Sequence, residues 1–197
     1  MSQLRRLVLM RHGETTGESS IRFHGSTDVP LSEEGCAQVG AAARSLKGEY
    51  FDLVVASALR RSWQAAAIVA GGAPVRIDHR FNEICFGRWE GLTQEEIAAQ
   101  DPVSYADWQA KAAGFEFPGG EPRADFRARV EAGLEALRGS GAASVLAVVH
   151  KGTIRTIAES LLGAPLELGE PPLAGAVGLS HGADGKWILG RRSSDPS

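Results

Sequence analysis

Apolar runs rich in branched side chains recur at residues 7–10, 53–56, 75–77 and 145–149, and the stretches between them carry apolar residues at intervals of three to four. The runs are unbroken rather than alternating, the pattern of strands covered on both faces, and the spaced stretches predict helices. Ser32 is placed to cap a first helix whose stripe of Val39, Ala42, Ala43 and Leu46 ends near Gly48. A second helix is predicted from near Ser57 through Ala65, Ile68 and Val69 to a stop at Gly71 and Gly72, where the 75–77 run completes a βαβ unit. Thr93-Gln94-Glu95-Glu96 reads as a capping box, Phe126, Val130, Leu134 and Leu137 repeat at helical spacing, and residues 154–162 form another amphipathic stretch. Residues 177–179 and 186–190, around Gly182-Ala183-Asp184-Gly185, predict a closing hairpin before a frayed tail at 192–197. The expected fold is α/β: one domain over 1–197, a three-layer α/β/α sandwich around a mainly parallel, doubly wound sheet.

Residues 88–123 interrupt this alternation with Trp89, Tyr105, Trp108, Phe115, Phe117 and the turn Pro118-Gly119-Gly120. The insert reads equally as a lid and as a packed helical excursion covering one sheet edge. Its aromatic residues are of the kind that more often fill a core than cage a substrate, with Trp108 and Phe115 the candidates for pocket walls.

The length of 197 residues excludes a large multidomain machine, and 43% hydrophobic with 23% charged residues excludes a disordered chain. Twenty-one basic against 24 acidic residues give a net charge of −3 without a block of like charge, so neither nucleic acid nor a membrane surface is expected as a partner. Cys36 and Cys85 make no disulfide framework and belong to no zinc-like spacing. The opening apolar run is only four residues long before Arg11, too short for a signal peptide core, and no run approaches a membrane span. A cytoplasmic protein is expected; its oligomeric state is not readable from one sequence.

In an open parallel sheet, ligands bind beyond the carboxyl ends of the strands. The first run there delivers Arg11-His12-Gly13-Glu14-Thr15, the second Ser57 and then Arg60-Arg61, the third leads to Glu83, and the fourth delivers His150-Lys151-Gly152. Arginine forks fit phosphate oxygens, imidazole can attack or donate, and a carboxylic acid can protonate a leaving alkoxide, so the set points to phosphoryl transfer. Taken singly, each of these residues has an ordinary reading as a satisfied strand-end or surface side chain.

These residues resemble the motifs of the histidine phosphatase superfamily, also called phosphoglycerate mutase-like. The resemblance runs from Arg11-His12-Gly13-Glu14-Thr15 through Gly25-Ser26-Thr27-Asp28-Val29-Pro30-Leu31-Ser32, Ser57-Ala58-Leu59-Arg60-Arg61 and Asn82-Glu83-Ile84-Cys85-Phe86-Gly87 to Val148-Val149-His150-Lys151-Gly152. It implies that His12 attacks phosphorus and becomes phosphohistidine, while Arg11, Arg61 and His150 surround the nonbridging oxygens. Glu83 would protonate the leaving oxygen and then activate water, and no metal or other cofactor is implied. Arg61 rather than Arg60 matches the Ser-x-Leu-x-Arg pattern; Arg60 reads as solvated. Substrate contacts are expected from Thr15, His24, Gly25, Lys151 and Gly152, with His24 read equally as a loop histidine without a role and Lys151 as a lysine pointing to solvent. His79 and His181 show no ligand spacing. One departure is Glu18, where the family commonly has asparagine in the phosphate shell. Either the loop turns Glu18 away, with Thr15, Ser19 or Ser20 supplying the donor, or the substrate carries a cation nearby.

The expected activity is metal-independent hydrolysis of a small phosphomonoester. Two alternatives stand beside it: phosphoglycerate mutase-type transfer, whose enzymes resemble longer chains, and a catalytically weak phospho-ligand binding protein, which Glu18 would favour.

Overall fold

The structure, a computed structural model, describes residues 4–166, 171–182 and 184–190. Six strands, β1 (Arg6–Arg11), β2 (Leu53–Ala56), β3 (Val75–Ile77), β4 (Ser144–Val149), β5 (Ala176–His181) and β6 (Trp187–Leu189), form one sheet in the order β3-β2-β4-β1-β5-β6. The first four are parallel; β5 runs antiparallel to β1, and β6 antiparallel to β5. The helices are α1 (Glu33–Ser45), α2 (Arg60–Ala70), α3 (Gln94–Gln100), α4 (Pro102–Gln109), α5 (Arg123–Arg138) and α6 (Lys151–Leu162).

Alternation along each strand divides the core between two faces. Leu7 and Leu9 of β1 with Val145, Ala147 and Val149 of β4 join Val130, Leu134 and Leu137 of α5 and Ile154 and Ile157 of α6. Val8, Met10, Leu146 and Val148 turn the other way and meet Val39 of α1 and Ala65 and Ala66 of α2. Helices thus cover both faces of the mainly parallel sheet, as the unbroken apolar runs require.

Local signals account for most boundaries. Ser32 caps α1 by accepting from the Gly35 N–H at 3.0 Å, the capping box at Thr93 and Glu96 opens α3, and Gly71 closes α2 in the left-handed conformation. The start of α2 differs from expectation. It begins at Arg60, because the Ser57 N–H is drawn onto Ser62 Oγ (3.0 Å), which prolongs the extended end of β2. The first helix likewise ends at Ser45, before Gly48. The hairpin is β5 and β6; Ala183 and the tail at 192–197 lie outside the described residues.

Within 88–123, α3 and α4 lead into a buried aromatic cluster continuous with the α5/α6 core. Trp89, only 1% exposed, meets Trp108 and Phe117 edge to face at 6.0 and 5.6 Å. Topology then assembles the site. The register pairs Arg11 with Val149 and Ala56 with Val148, so β1, β2 and β4 end side by side and His12, Ser57 and His150 follow one residue beyond.

Candidate active site

A cavity of about 550 Å³ opens at these strand ends, lined by Arg11, His12, Arg61, Glu83 and His150 and, further out, by His24, Lys151 and Gly152. The sequence-expected cluster is therefore brought together by strands that meet only in the folded sheet.

His12 is buried, and its Nδ1 lies 2.7 Å from the Gly13 carbonyl. A carbonyl only accepts, so Nδ1 carries the hydrogen and Nε2 keeps its lone pair. Burial, reinforced by the charge of Arg61, pushes the His12 pKa well below the usual histidine value, against the opposing pull of the Gly13 bond. Its ring centroid stands 5.2 Å from that of His150, whose pKa burial also depresses strongly, with Arg61 and His12 adding to the effect. His150 Nε2 is 2.6 Å from Ser57 Oγ. The Leu59 N–H also donates to that oxygen at 3.3 Å; in the tautomer in which the hydroxyl donates to Nε2, the imidazole hydrogen is on Nδ1.

Arg61 is 1% exposed and donates to the carbonyls of Thr27 (2.7 Å), His24 (2.6 Å) and Gly25 (2.7 Å). Burial lowers its pKa to about 10, offset in part by Glu83 and Glu90, and it remains a cation at neutral pH. Burial lowers Arg11 as well, with Glu83 and Glu14 opposing. Arg11 Nε, Arg61 Nε, His24 Nδ1 and His150 Nδ1, all from residues lining the cavity, are buried without a hydrogen-bond partner among the described residues. Buried polar groups of this kind are normally satisfied, and the two guanidinium groups with His150 make a cradle for an oxyanion.

Glu83, buried, accepts from the Ile84 N–H at Oε1 (3.0 Å) and from the Gly152 N–H at Oε2 (2.8 Å). Gly152 is the second residue of α6, so the carboxylate sits at that helix's N-terminus. A Cβ on Gly152 would lie 2.5 Å from Glu83 Oε1. The glycine thus lines the cavity chiefly by letting the carboxylate approach the helix. Arg129, which the sequence reading did not single out, grips the backbone behind Glu83: it donates to the carbonyls of Arg80 (2.9 Å), Asn82 (2.7 Å) and Glu83 (3.0 Å) and pairs with Glu121 at 2.6 Å. Nothing local in the α5 sequence distinguishes it from Arg127, whereas Ser57 was legible as the first residue of its motif.

The loop after β1 resolves the Glu18 question. Glu18 adopts φ 60° and pairs with Arg22 at 3.2 Å, its side chain 62% exposed and outside the cavity lining, while Ser19 and Ser20 do line it. The loop turns the carboxylate away, the first of the two arrangements expected. Thr15 and Gly25 also lie outside the lining. Thr15 Oγ1 is spent on Ser19 Oγ (2.8 Å) and the N–H groups of Gly17 and Ser19, and a Cβ on Gly25 would meet the Ile84 carbonyl at 2.1 Å. His24 Nε2 hydrogen-bonds the Gly17 carbonyl, and its ring lines the cavity. Trp108 is a wall as expected, joined by Phe23, Phe86, Phe117 and Phe126, whereas Phe115 is buried in the core and lies outside the lining. Among the described residues no three His, Cys, Asp or Glu side chains stand together as a metal-binding group, and no helix is long and apolar enough to cross a membrane.

The family model of the histidine phosphatase superfamily (branch 1) matches residues 7–187. A glucosyl-3-phosphoglycerate phosphatase of Mycolicibacterium vanbaalenii is 34% identical over 186 residues, covering 89% of this chain and 81% of that protein. A phosphoserine phosphatase 1 of Hydrogenobacter thermophilus is 31% identical over 164 residues, covering 82% and 78%. Among solved structures, a putative alpha-ribazole-5'-P phosphatase of Escherichia coli K-12 superposes with a TM-score of 0.85 at 27% identity, covering 97% of both chains. The chain belongs to the histidine phosphatase superfamily and falls among its small-molecule phosphatases.

Proposed function

We propose that the protein hydrolyses small phosphomonoesters through a phosphohistidine on His12. The observation that carries this reading is the tautomer of His12: the Nδ1 bond to Gly13 leaves Nε2 as a nucleophile, and burial keeps the ring neutral. Nε2 forms a bond to phosphorus as the ester P–O bond breaks, and Glu83 passes its proton to the departing alkoxide. Arg11, Arg61 and His150 take the nonbridging oxygens, where their unpartnered nitrogens supply fixed donors as the phosphoryl group flattens. Glu83 then takes a proton from water, whose oxygen attacks phosphorus and releases His12 and inorganic phosphate.

Lys151, Gly152 and His24 line the same cavity and stand as contacts for the rest of the ester. Thr15 and Gly25 act through the loop that carries His24. With Glu18 turned outward, the motive for a purely binding role is gone. The free thiols Cys36 and Cys85, together with the lack of a membrane-crossing helix among the described residues, support a cytoplasmic setting. The test is phosphate release from a panel of phosphomonoesters in EDTA, with His12→Ala beside the parent, and acid quench of labelled substrate to trap the phosphoenzyme. Turnover and an acid-labile label, both lost in His12→Ala, are expected. Undiminished hydrolysis by His12→Ala would refute the reading.

A further inference from the structure

The backbone that carries Glu83 has no helix or sheet to hold it. Residues 82–86 lie between the single helical turns His79–Phe81 and Gly87–Trp89, with neither helical nor strand bonding of their own. Their buried polar backbone groups must then be met by side chains or by other loops. Asn82 Oδ1 accepts from the Ala58 N–H (2.9 Å) and Thr153 Oγ1 donates to the Phe81 carbonyl (3.3 Å), both ahead of Glu83 in the chain. The carbonyl of Glu83 itself goes to Arg129.

Arg129 commits its whole guanidinium to this stretch and to one carboxylate. Nη1 donates to the carbonyls of Arg80 (2.9 Å) and Asn82 (2.7 Å), Nη2 to the Glu83 carbonyl (3.0 Å) and Glu121 Oε2 (2.8 Å), and Nε to Glu121 Oε1 (2.6 Å). A guanidinium has five N–H hydrogens, so these five bonds use them all and none remains for a ligand. Arg129 accordingly stays out of the cavity lining, yet its charge reaches the site: it adds to burial, Arg61, His12 and Arg11 in depressing the His150 pKa. Glu121 takes the Nε edge of the fork with both oxygens, which leaves Nη1 and the second hydrogen of Nη2 for the three carbonyls. The Glu121 N–H donates to the Cys85 carbonyl at 3.0 Å, and the Arg88 N–H donates to the Pro118 carbonyl at 2.9 Å, so the end of the 88–123 insert is bonded along the stretch that follows Glu83. Packing there is close, since a Cβ on Gly120 would stand 2.4 Å from the Cys85 oxygen.

Resting on the phosphatase reading above, we infer that Arg129, locked by Glu121, is a positioning residue for the proton donor: its fork fixes the backbone from which Glu83 reaches the cavity and thereby ties the 88–123 insert to proton transfer. A lysine cannot replace it, because one ammonium does not span three carbonyls and a carboxylate held by two parallel bonds. Proton transfer requires donor and acceptor within about 2.6–3.2 Å, so freeing this backbone acts on the step in which the leaving oxygen needs a proton.

The test compares kcat/KM, which reports phosphoryl transfer to His12, for phenyl phosphate and 4-nitrophenyl phosphate in the parent, Arg129→Gln, Arg129→Lys and Glu121→Gln, with Glu83→Gln as the reference for a lost donor. Nitrophenolate departs without a proton, whereas the more basic phenolate is helped by one. Arg129→Gln and Arg129→Lys are both expected to lose about tenfold or more with phenyl phosphate and less than about threefold with 4-nitrophenyl phosphate, the pattern of Glu83→Gln in weaker form. Glu121→Gln, a milder change, should shift the same ratio in the same direction and decides the matter if the Arg129 variants fail to fold by thermal melting. Equal losses on both esters in folded variants would mean a general loosening and overturn the inference while leaving the phosphatase reading standing, as would parent-like rates on both or full recovery in Arg129→Lys. A Glu83→Gln protein without leaving-group dependence, or a parent that hydrolyses neither ester, overturns the phosphatase reading and the inference with it.

Discussion

Gly152→Ala isolates the placement of Glu83 from the stability of the fold. The new Cβ would stand 2.5 Å from Oε1, 3.2 Å from Cδ and 3.4 Å from Oε2 of Glu83, while no backbone atom of another segment is among its nearest neighbours. Ordinary carbon–oxygen contact begins near 3.4 Å, so the carboxylate must withdraw by about 1 Å, a shift its flexible stem can make. Loosening the bonds from the Ile84 and Gly152 N–H groups costs about 1 kcal/mol, and replacing glycine by alanine in the first turn of α6 returns part of the roughly 0.8–1 kcal/mol that the exchange is worth in a helix interior. Stability should therefore change by less than about 1 kcal/mol, whereas a displacement of about 1 Å at a proton-transfer group is worth about 100-fold in rate. The assay is kcat for phosphate release beside thermal melting, with Gly40→Ala as the control. Gly40 lies in α1, where an added Cβ meets nothing nearer than Arg44 Nη1 at 3.9 Å, so that variant should melt higher and turn over like the parent. A Gly152→Ala protein that melts normally and keeps kcat within about threefold of the parent would refute the assignment of Glu83 as proton donor.

Three further outcomes are expected. His12 and His150 have folded-state pKa values below the unfolded value, so below about pH 6.5 the unfolded chain binds more protons. Stability is then complete above that pH and falls on acidification by up to about 1.4 kcal/mol per pH unit for each histidine. Urea unfolding from pH 7.5 to 5 checks this: His150→Asn should flatten the slope, and a flat parent profile would contradict the burial of neutral rings. Ser57→Ala leaves the buried Nε2 of His150 without its partner, which should cost about 1–3 kcal/mol in a denaturant titration and about tenfold in kcat as the tautomer is released; parent-like values would show that the bond does neither. Glu18→Asn relieves a left-handed residue and removes an exposed ion pair, effects of about 1 kcal/mol or less that oppose each other, so melting and kcat should both stay near the parent; a tenfold gain in kcat would mean that the Glu18 charge reaches the phosphate.

What the sequence by itself determined is what depends on neighbours along the chain. Apolar periodicity located β1 to β4, capping chemistry located Ser32, Thr93 and Gly71, and the strand-end rule with the family motifs singled out Arg11, His12, Arg61, Glu83 and His150, all of which line the cavity. What the tertiary structure alone decided is the direction of side chains and the partners they find across long separations. Glu18 faces Arg22 because of the turn its loop takes, and Phe117 lines the cavity while Phe115, two residues away, does not, though both rings pack against Trp89. Ser57 meets His150 from 93 residues away, Gly152 meets Glu83 from 69, and Arg129 reaches the Glu83 carbonyl from 46. Helical and strand periods report which face of an element is apolar, but not which distant element will cover it.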